Sequence, residues 1–169
     1  HGVQVTVFNQ RSVDEIFSML YQVAAMVGEA EQGLQRISQM QSHLQAMRQA
    51  TQKFARRPRV YFEEWDDPPI SIAGGDDCFP ELAVQSLGKN RIIADPLEVV
   101  RRQPDIIIGS WCGKKFRPSL VAAREAWADV PAVVDHQLFE IKSADILQPG
   151  PAALTDGVDQ LHRIISQWV

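Results

Sequence analysis

The sequence predicts an α/β protein: a three-layer lobe with a mainly parallel sheet, preceded by one long helix. Three observations carry that expectation. Asp105 to Gly109 holds three consecutive isoleucines, the mark of a strand covered on both faces. After Arg59, short β-rich runs alternate with helical patterns, which implies parallel strands joined by helical crossovers. Before Arg59, Leu34, Ile37, Met40, Leu44 and Met47 recur three or four residues apart through a Gln-rich stretch, so one narrow apolar stripe runs along a long helix.

Taken in order, Val3, Val5 and Val7 alternate with polar residues ahead of Phe8 and read as a short strand. Ser12 and Glu15 form a capping box that opens a helix with Ile16, Phe17, Leu20, Tyr21, Ala24 and Val27 on its apolar face, and Gly28 ends it. The second helix spans Ala30 to Phe54, roughly 37 Å at the α-helical rise. Its stripe fits either coiled-coil association or a rigid strut between two lobes. Arg56-Arg57-Pro58-Arg59 breaks the pattern and marks a domain boundary. Val60 to Trp65 reads as a strand, and Asp95, Pro96 and Glu98 start a short helix ending by Arg102. The strand Asp105 to Gly109 precedes a helix from Pro118 to Trp127. Val133-Val134 and Leu138 to Ile141 read as short strands around the turn Asp135-His136-Gln137, and Pro151 opens a last helix reaching Trp168. Trp127 and Trp168, among apolar neighbours, are assigned to packing.

Composition narrows the function classes. The 169 residues fit one domain, or one lobe with an appendage, and a hydrophobic content of 45% supplies a core. A formal net charge of -4 argues against general nucleic-acid binding. No apolar run approaches the roughly 20 residues that span a bilayer. The opening HGVQVTVF has strand rather than signal-peptide character, as expected of a cytosolic chain or of a processed or truncated one, and a start in mid-pattern favours truncation. Cys78 and Cys112 have no spacing of a zinc site, and His1, His43, His136 and His162 are scattered, so no metal site is expected.

Four groups fall at strand ends or turns: Glu63-Glu64-Trp65-Asp66-Asp67, Ser110 to Arg117, Lys142-Ser143, and Leu147 to Gly150. The second runs out of the isoleucine strand, and in open α/β sheets ligands bind beyond the carboxyl ends of the strands. Its tryptophan beside Lys114, Lys115 and Arg117 makes either a candidate binding surface or a solvated charged loop. Glu63 and Asp66 have the chemistry of an acid and base pair, and Ser110 or Cys112 that of a nucleophile. No histidine stands in a partner position, no nucleophile elbow or phosphate loop is present, and Gly74-Gly75 is a plain turn. Binding without chemistry fits better: Trp65, Trp111 and Phe116 offer flat contact area, and the cations offer partners for carboxylate, amide or phosphate groups. Catalytic residues and a cofactor are not expected.

The segments PRVYFEEWDDPPIS, IIADPLEVVRRQPDIIIGSWCGKKFRP and FEIKSADILQPGPAALTDGVDQLHRII resemble the class III substrate-binding proteins of cobalamin and iron-siderophore ABC importers, in particular the cobalamin-binding-protein-like branch. The resemblance implies two α/β lobes joined by a bridging helix, with ligand in the cleft between them. It assigns residues 1–28 to a remnant of the amino-terminal lobe, 29–57 to the bridging helix and 58–169 to the carboxyl-terminal ligand-binding lobe, with most of the amino-terminal lobe absent. Where the family has a further helix, Ser71-Ile72 runs directly into AGGDD. The implied function is extracytoplasmic capture of a cobalamin-like corrinoid, by a protein free or lipid-anchored, with small lobe closure and delivery to a membrane permease. A ferric-siderophore or haem binder of the same architecture is the alternative, and a soluble α/β enzyme or sensor domain a more distant one. Trp65 and Trp111 are expected to contact the ligand, with Glu64, Lys114, Lys115 and Arg117 at the cleft mouth. Glu81 lies in the region where the family's lobe-surface carboxylates pair with permease arginines.

Overall fold

The computed structural model describes residues 2–10, 12–67, 69–71 and 95–169. Two helices come first, α1 (Val13–Met26) and α2 (Ala30–Thr51), followed by strands β1 (Val60–Asp66) and β2 (Pro69–Ser71). Helix α3 (Leu97–Arg102), strand β3 (Ile106–Gly109), helices α4 (Pro118–Ala122) and α5 (Pro131–Val134), and strand β4 (Leu138–Glu140) continue the chain. Helices α6 (Ser143–Ile146), α7 (Pro151–Leu154) and α8 (Asp156–Trp168) end it. The sheet order is β2-β1-β3-β4, with β1, β3 and β4 parallel and β2 an antiparallel edge.

The isoleucine run behaves as its composition predicts. Ile106, Ile107 and Ile108 are all fully buried, and successive side chains serve opposite faces. Ile107 joins Tyr61, Val99, Val121, Trp127, Val130 and Ala132 under α3, α4 and α5. Ile106 and Ile108 join Phe62, Ile141, Ile146, Leu161, Ile164 and Ile165 under α6 and α8. Helices therefore cover both faces of a mainly parallel sheet, the three-layer α/β arrangement. Full burial contributes roughly 1.5–3 kcal/mol per isoleucine.

Helix α1 starts as its capping box requires, with Ser12 Oγ accepting from Glu15 N at 3.2 Å. Gly28 turns the chain at φ 80°, in the left-handed region that glycine tolerates, and α2 returns alongside α1. The two helices touch backbone to side chain at Gly33, where a Cβ would overlap Ala24. Ile16, Phe17 and Ile37 pack with Leu154 of α7, with Met40 and Leu44 partly buried against them, while Leu34 of the stripe stays exposed. Just past α2, Phe54 stacks on His162 at 6.0 Å and the Arg56 guanidinium lies 4.6 Å over Trp168, tying the helix end to α8.

Several expectations are corrected. Residues 2–10 form no strand, and Val3, Val5 and Val7 are exposed, because no other described strand lies beside them to pair their backbone. Helix α2 ends at Thr51, before Phe54. The helix predicted for Pro118 to Trp127 closes at Ala122, after which Ala126 at φ 64° turns Trp127 into the core. Val133-Val134 belong to α5, where Pro131 at the first turn favours helix over strand. Thr155 (φ -124°, ψ -91°) splits the last helix into α7 and α8. The expected packing tryptophans are fully buried (Trp127) and partly buried (Trp168).

Candidate ligand-binding site

Parallel pairing aligns three strand ends. Glu63 sits opposite Gly109, and Gly109 opposite Glu140, so β3 and β4 finish level with Glu63, and β1 runs on past them to Asp66 beside β2. The end of β1 from Glu64 to Asp67 and the residues that follow β3 and β4, Ser110 to Arg117 and Ile141-Lys142, lie at one edge. Three of the four groups marked in the sequence are thus brought together. The fourth, Leu147 to Gly150, is set off behind α6.

The loop from Ser110 to Arg117 is held at several points. Phe116 is buried directly over Gly109, where any Cβ would overlap its ring. Its backbone N–H donates to Glu140 Oε1 at 3.1 Å. Trp111 meets Phe116 edge to face at 5.0 Å and is only 4% exposed. Gly113 at φ 74° makes the outer turn. Cys112, Lys114, Lys115 and Arg117 are left on the outside.

Glu63 is the centre of this scaffold. Period-two alternation puts it on the same buried face as Tyr61, and its side chain is fully buried. A carboxylate there needs a cation and donors for its remaining lone pairs. Arg124 supplies two bonds, Nη1 to Oε2 at 2.6 Å and Nη2 to Oε1 at 2.9 Å. Tyr61 Oη donates to Oε2 and Trp111 Nε1 to Oε1, each at 2.9 Å. Burial, with the Glu63 charge and hydrogen bond, pushes the Tyr61 phenol far above its ordinary range. Arg124 also lies 4.7 Å over Trp127, which meets Tyr61 edge to face at 6.0 Å. Four bonds thus reach the two oxygens of Glu63.

Beyond Glu63 lies a second, wetter ion pair. The Lys114 ammonium bonds Asp66 Oδ1, 4.3 Å from the centre of the Trp65 ring and 5.2 Å from that of Trp111. Trp65 is partly buried and its Nε1 donates to Asp67 O at 3.1 Å. Burial would raise the Asp66 carboxyl, but hydrogen bonds from Lys114 and its own backbone, with the charges of Lys114 and Arg124, hold it below its usual range. With Glu63 saturated and Asp66 bound to Lys114, the acid and base pair read from the sequence is not present.

The expected site residues therefore separate by position. Trp65, Lys114 and Trp111 come together, with Glu64 partly buried on β1, while Lys115 and Arg117 stand exposed on the adjoining loop. Trp111 belongs to the core beneath the surface rather than to the surface itself, because its N–H and both ring neighbours hold it inward. Sequence reasoning missed the partners: Arg124 for Glu63, Tyr61 as a donor, and Glu140 as the anchor of Phe116. The alternation Tyr61-Phe62-Glu63 carried one usable signal, a glutamate on an inward-facing strand position. Cys112 is a free, exposed thiol. Among the described residues no group of three or more His, Cys, Asp and Glu could hold a metal ion, and no helix is long and apolar enough to cross a membrane. Cys78, Glu81, Gly74-Gly75 and the junction after Ser71 fall outside the described residues. A mainly apolar groove of about 540 Å³, lined by Leu20, Ile37, Met40 and Pro151, lies among α1, α2 and α7, away from the strand ends.

Residues 1–144 match the model of a family described as periplasmic binding protein. No curated protein sequence matches. Among solved structures, the fold is similar to a periplasmic heme-binding protein, BhuT, in complex with two hemes (TM-score 0.78, 19% identity, 99% of this chain and 68% of that one). It is also similar to a possible iron-binding, periplasmic solute-binding protein from Staphylococcus epidermidis (0.75, 18%, 95% and 65%). The vitamin B12 binding protein BtuF of Vibrio cholerae is a third (0.72, 18%, 99% and 66%). The chain spans about two thirds of the length of these structures.

Proposed function

Because the chain belongs to the periplasmic binding protein family, we propose that it serves an ABC importer as the extracytoplasmic component that captures a metal chelate and hands it to a membrane permease. Residues 58–169 are the ligand-binding lobe, 29–57 the bridging helix and 1–28 part of a second lobe. A cobalamin-like corrinoid is the first ligand reading. Haem or a ferric siderophore is the second, favoured by the heme complex among the similar folds. The protein is a carrier rather than an enzyme.

One observation carries this reading: the carboxyl edge of the sheet presents the Trp65 ring beside a rigidly anchored loop with exposed cations. A flat aromatic surface with fixed polar groups suits a large ring whose rim carries polar substituents. Trp65 supplies the stacking face, Lys114, Lys115, Arg117 and Glu64 meet the rim, and Trp111 supports them from below.

Titration of the full-length protein with cobinamide, cobalamin and haemin, followed by tryptophan fluorescence and calorimetry, tests the proposal. Saturable binding at micromolar or tighter affinity to one of them, weakened by Trp65→Ala, is the expected result. A folded protein that binds none of the three overturns the corrinoid and haem readings, and one that also fails to bind a ferric hydroxamate siderophore overturns the proposal.

A further inference from the structure

The carboxyl edge is polarised. On the β1 side stand Glu64, Asp66 and Asp67; on the β3 and β4 side stand Lys114, Lys115, Arg117 and Lys142, with one acid, Glu140, which accepts from the Phe116 N–H. The eight residues Ser110 to Arg117 hold three cations and no acid, in a chain where 21 Asp and Glu outnumber 17 Lys and Arg. Lys115, Arg117 and Lys142 are exposed and have no carboxylate partner among the described residues. The Lys114–Asp66 pair lies on the seam between the two sides, and its side chains keep 39% and 20% of their surface in water.

We infer that this pair sets the charge selectivity of the site, and that the ligand it selects bears carboxylate groups on its rim. The inference rests on the binding reading above. Lys114 is held by two different kinds of contact. The faces of Trp65 and Trp111 fix its ammonium by cation–π attraction, which leaves its donors free to change partner. Asp66 is the partner it holds in this structure. A ligand carboxylate arriving from the cation side replaces Asp66 on the ammonium, while the Trp65 face takes the adjoining ring. The exchange conserves the number of charge-assisted hydrogen bonds, so it costs little for a carboxylate. A neutral amide on the same ring cannot match it, because an amide oxygen leaves Asp66 as the better acceptor. Lys115 and Arg117 add a long-range pull that favours anions over neutral rings. Asp66 is thus a specificity-determining residue through its competition with the ligand, and a charged rim is preferred to an amide rim.

A matched ligand pair tests this in the full-length protein: dicyanocobinamide, whose rim carries amides, and dicyanocobyrinic acid, the same ring with carboxylates. Haemin serves as a second carboxylate ring. The carboxylate ring is expected to bind about fivefold more tightly than the amide ring, in line with one partly exposed ion pair. Raising the salt concentration should shrink that preference. Asp66→Asn should strengthen carboxylate binding by about threefold and leave amide binding within twofold, while Lys114→Met should cut the preference to about twofold or less, the share of Lys115 and Arg117; both are surface changes whose melting curves are checked first. Equal affinity for the two rings, unaffected by salt or by Asp66→Asn, overturns the inference and leaves the carrier function standing. Absence of saturable binding to every ring overturns the inference, and absence of binding to a ferric hydroxamate siderophore as well overturns the carrier function with it.

Discussion

Replacing Arg124 with methionine tests the central physical argument. The substitution keeps most of the side-chain volume and removes the only cation bonded to Glu63 among the described residues. What remains is a fully buried carboxylate with two neutral donors, Tyr61 Oη and Trp111 Nε1. Breaking a buried ion pair from one side costs about 3–5 kcal/mol, since the surviving charge keeps its desolvation penalty. Arg124 retains 18% of its side-chain surface, so water reaches the rim of the vacancy and the lower end, about 3 kcal/mol, applies. That is a large share of the roughly 5–15 kcal/mol that holds a domain together. Urea unfolding at neutral pH, followed by far-ultraviolet circular dichroism, should show the midpoint falling by about 1–2 M with an unchanged slope. Adding Glu63→Gln should recover a good part of the loss, because the amide oxygen still accepts a hydrogen bond and no charge stays buried. A loss below about 1 kcal/mol for Arg124→Met alone would refute the claim that Glu63 depends on this pairing.

Three further outcomes are expected. Trp65→Ala should weaken ligand binding with little change in melting temperature, whereas Trp111→Ala should lower stability by about 3–5 kcal/mol in chemical unfolding, because its ring is core and its loss also removes one of the donors to Glu63. Gly109→Ala should cost about 1–3 kcal/mol by driving a methyl group into the Phe116 ring, and adding Phe116→Leu should restore part of it if that overlap is the cause. Asp105 is held below the usual carboxylate range chiefly by its hydrogen bond from Arg59, so its contribution is complete above the unfolded value near 3.9 and is lost as pH falls through the folded value. Urea midpoints should therefore drop more steeply in acid for the parent protein than for Asp105→Asn; parallel profiles would remove Asp105 as the cause.

What the sequence revealed follows the reach of each signal. Ile106 to Ile108 announced a doubly covered strand because their neighbours impose the composition directly. The Ser12–Glu15 box located the start of α1 because its hydrogen bond is local. Val3 to Val7 show the opposite case: alternation records a preference for pairing, and pairing needs a neighbour the pattern cannot supply. Val133-Val134 had strand propensity but followed Pro131, and backbone geometry at the helix start prevailed. The candidate site was legible as a cluster of residue types, since Trp65, Trp111 and Lys114 do converge. Its depth was not, because the partner that draws Trp111 inward lies 48 residues away at Glu63, and the cation that makes Glu63 tolerable lies 61 residues from it.

Beside the His43 Nε2–Asp159 Oδ1 contact of 2.7 Å, two apolar attachments of α2 define a mechanical axis. Ile37 is seated against Leu154 and, past the helix end at Thr51, Phe54 is stacked on His162, clamps about 21 Å or more apart at 1.5 Å for each helical residue from Ile37 to Thr51. Two clamps fix where the axis points as well as where it lies. A shift of about 1 Å at either one swings it by about 3° or less over that span. Since α1 is pressed onto α2 at Gly33 and Ala24, it swings with the axis as one lever arm. The aim of everything carried ahead of Val13 is then set by the volume of a few side chains at Ile37, Leu154 and Phe54, far from the strand ends where ligand would sit.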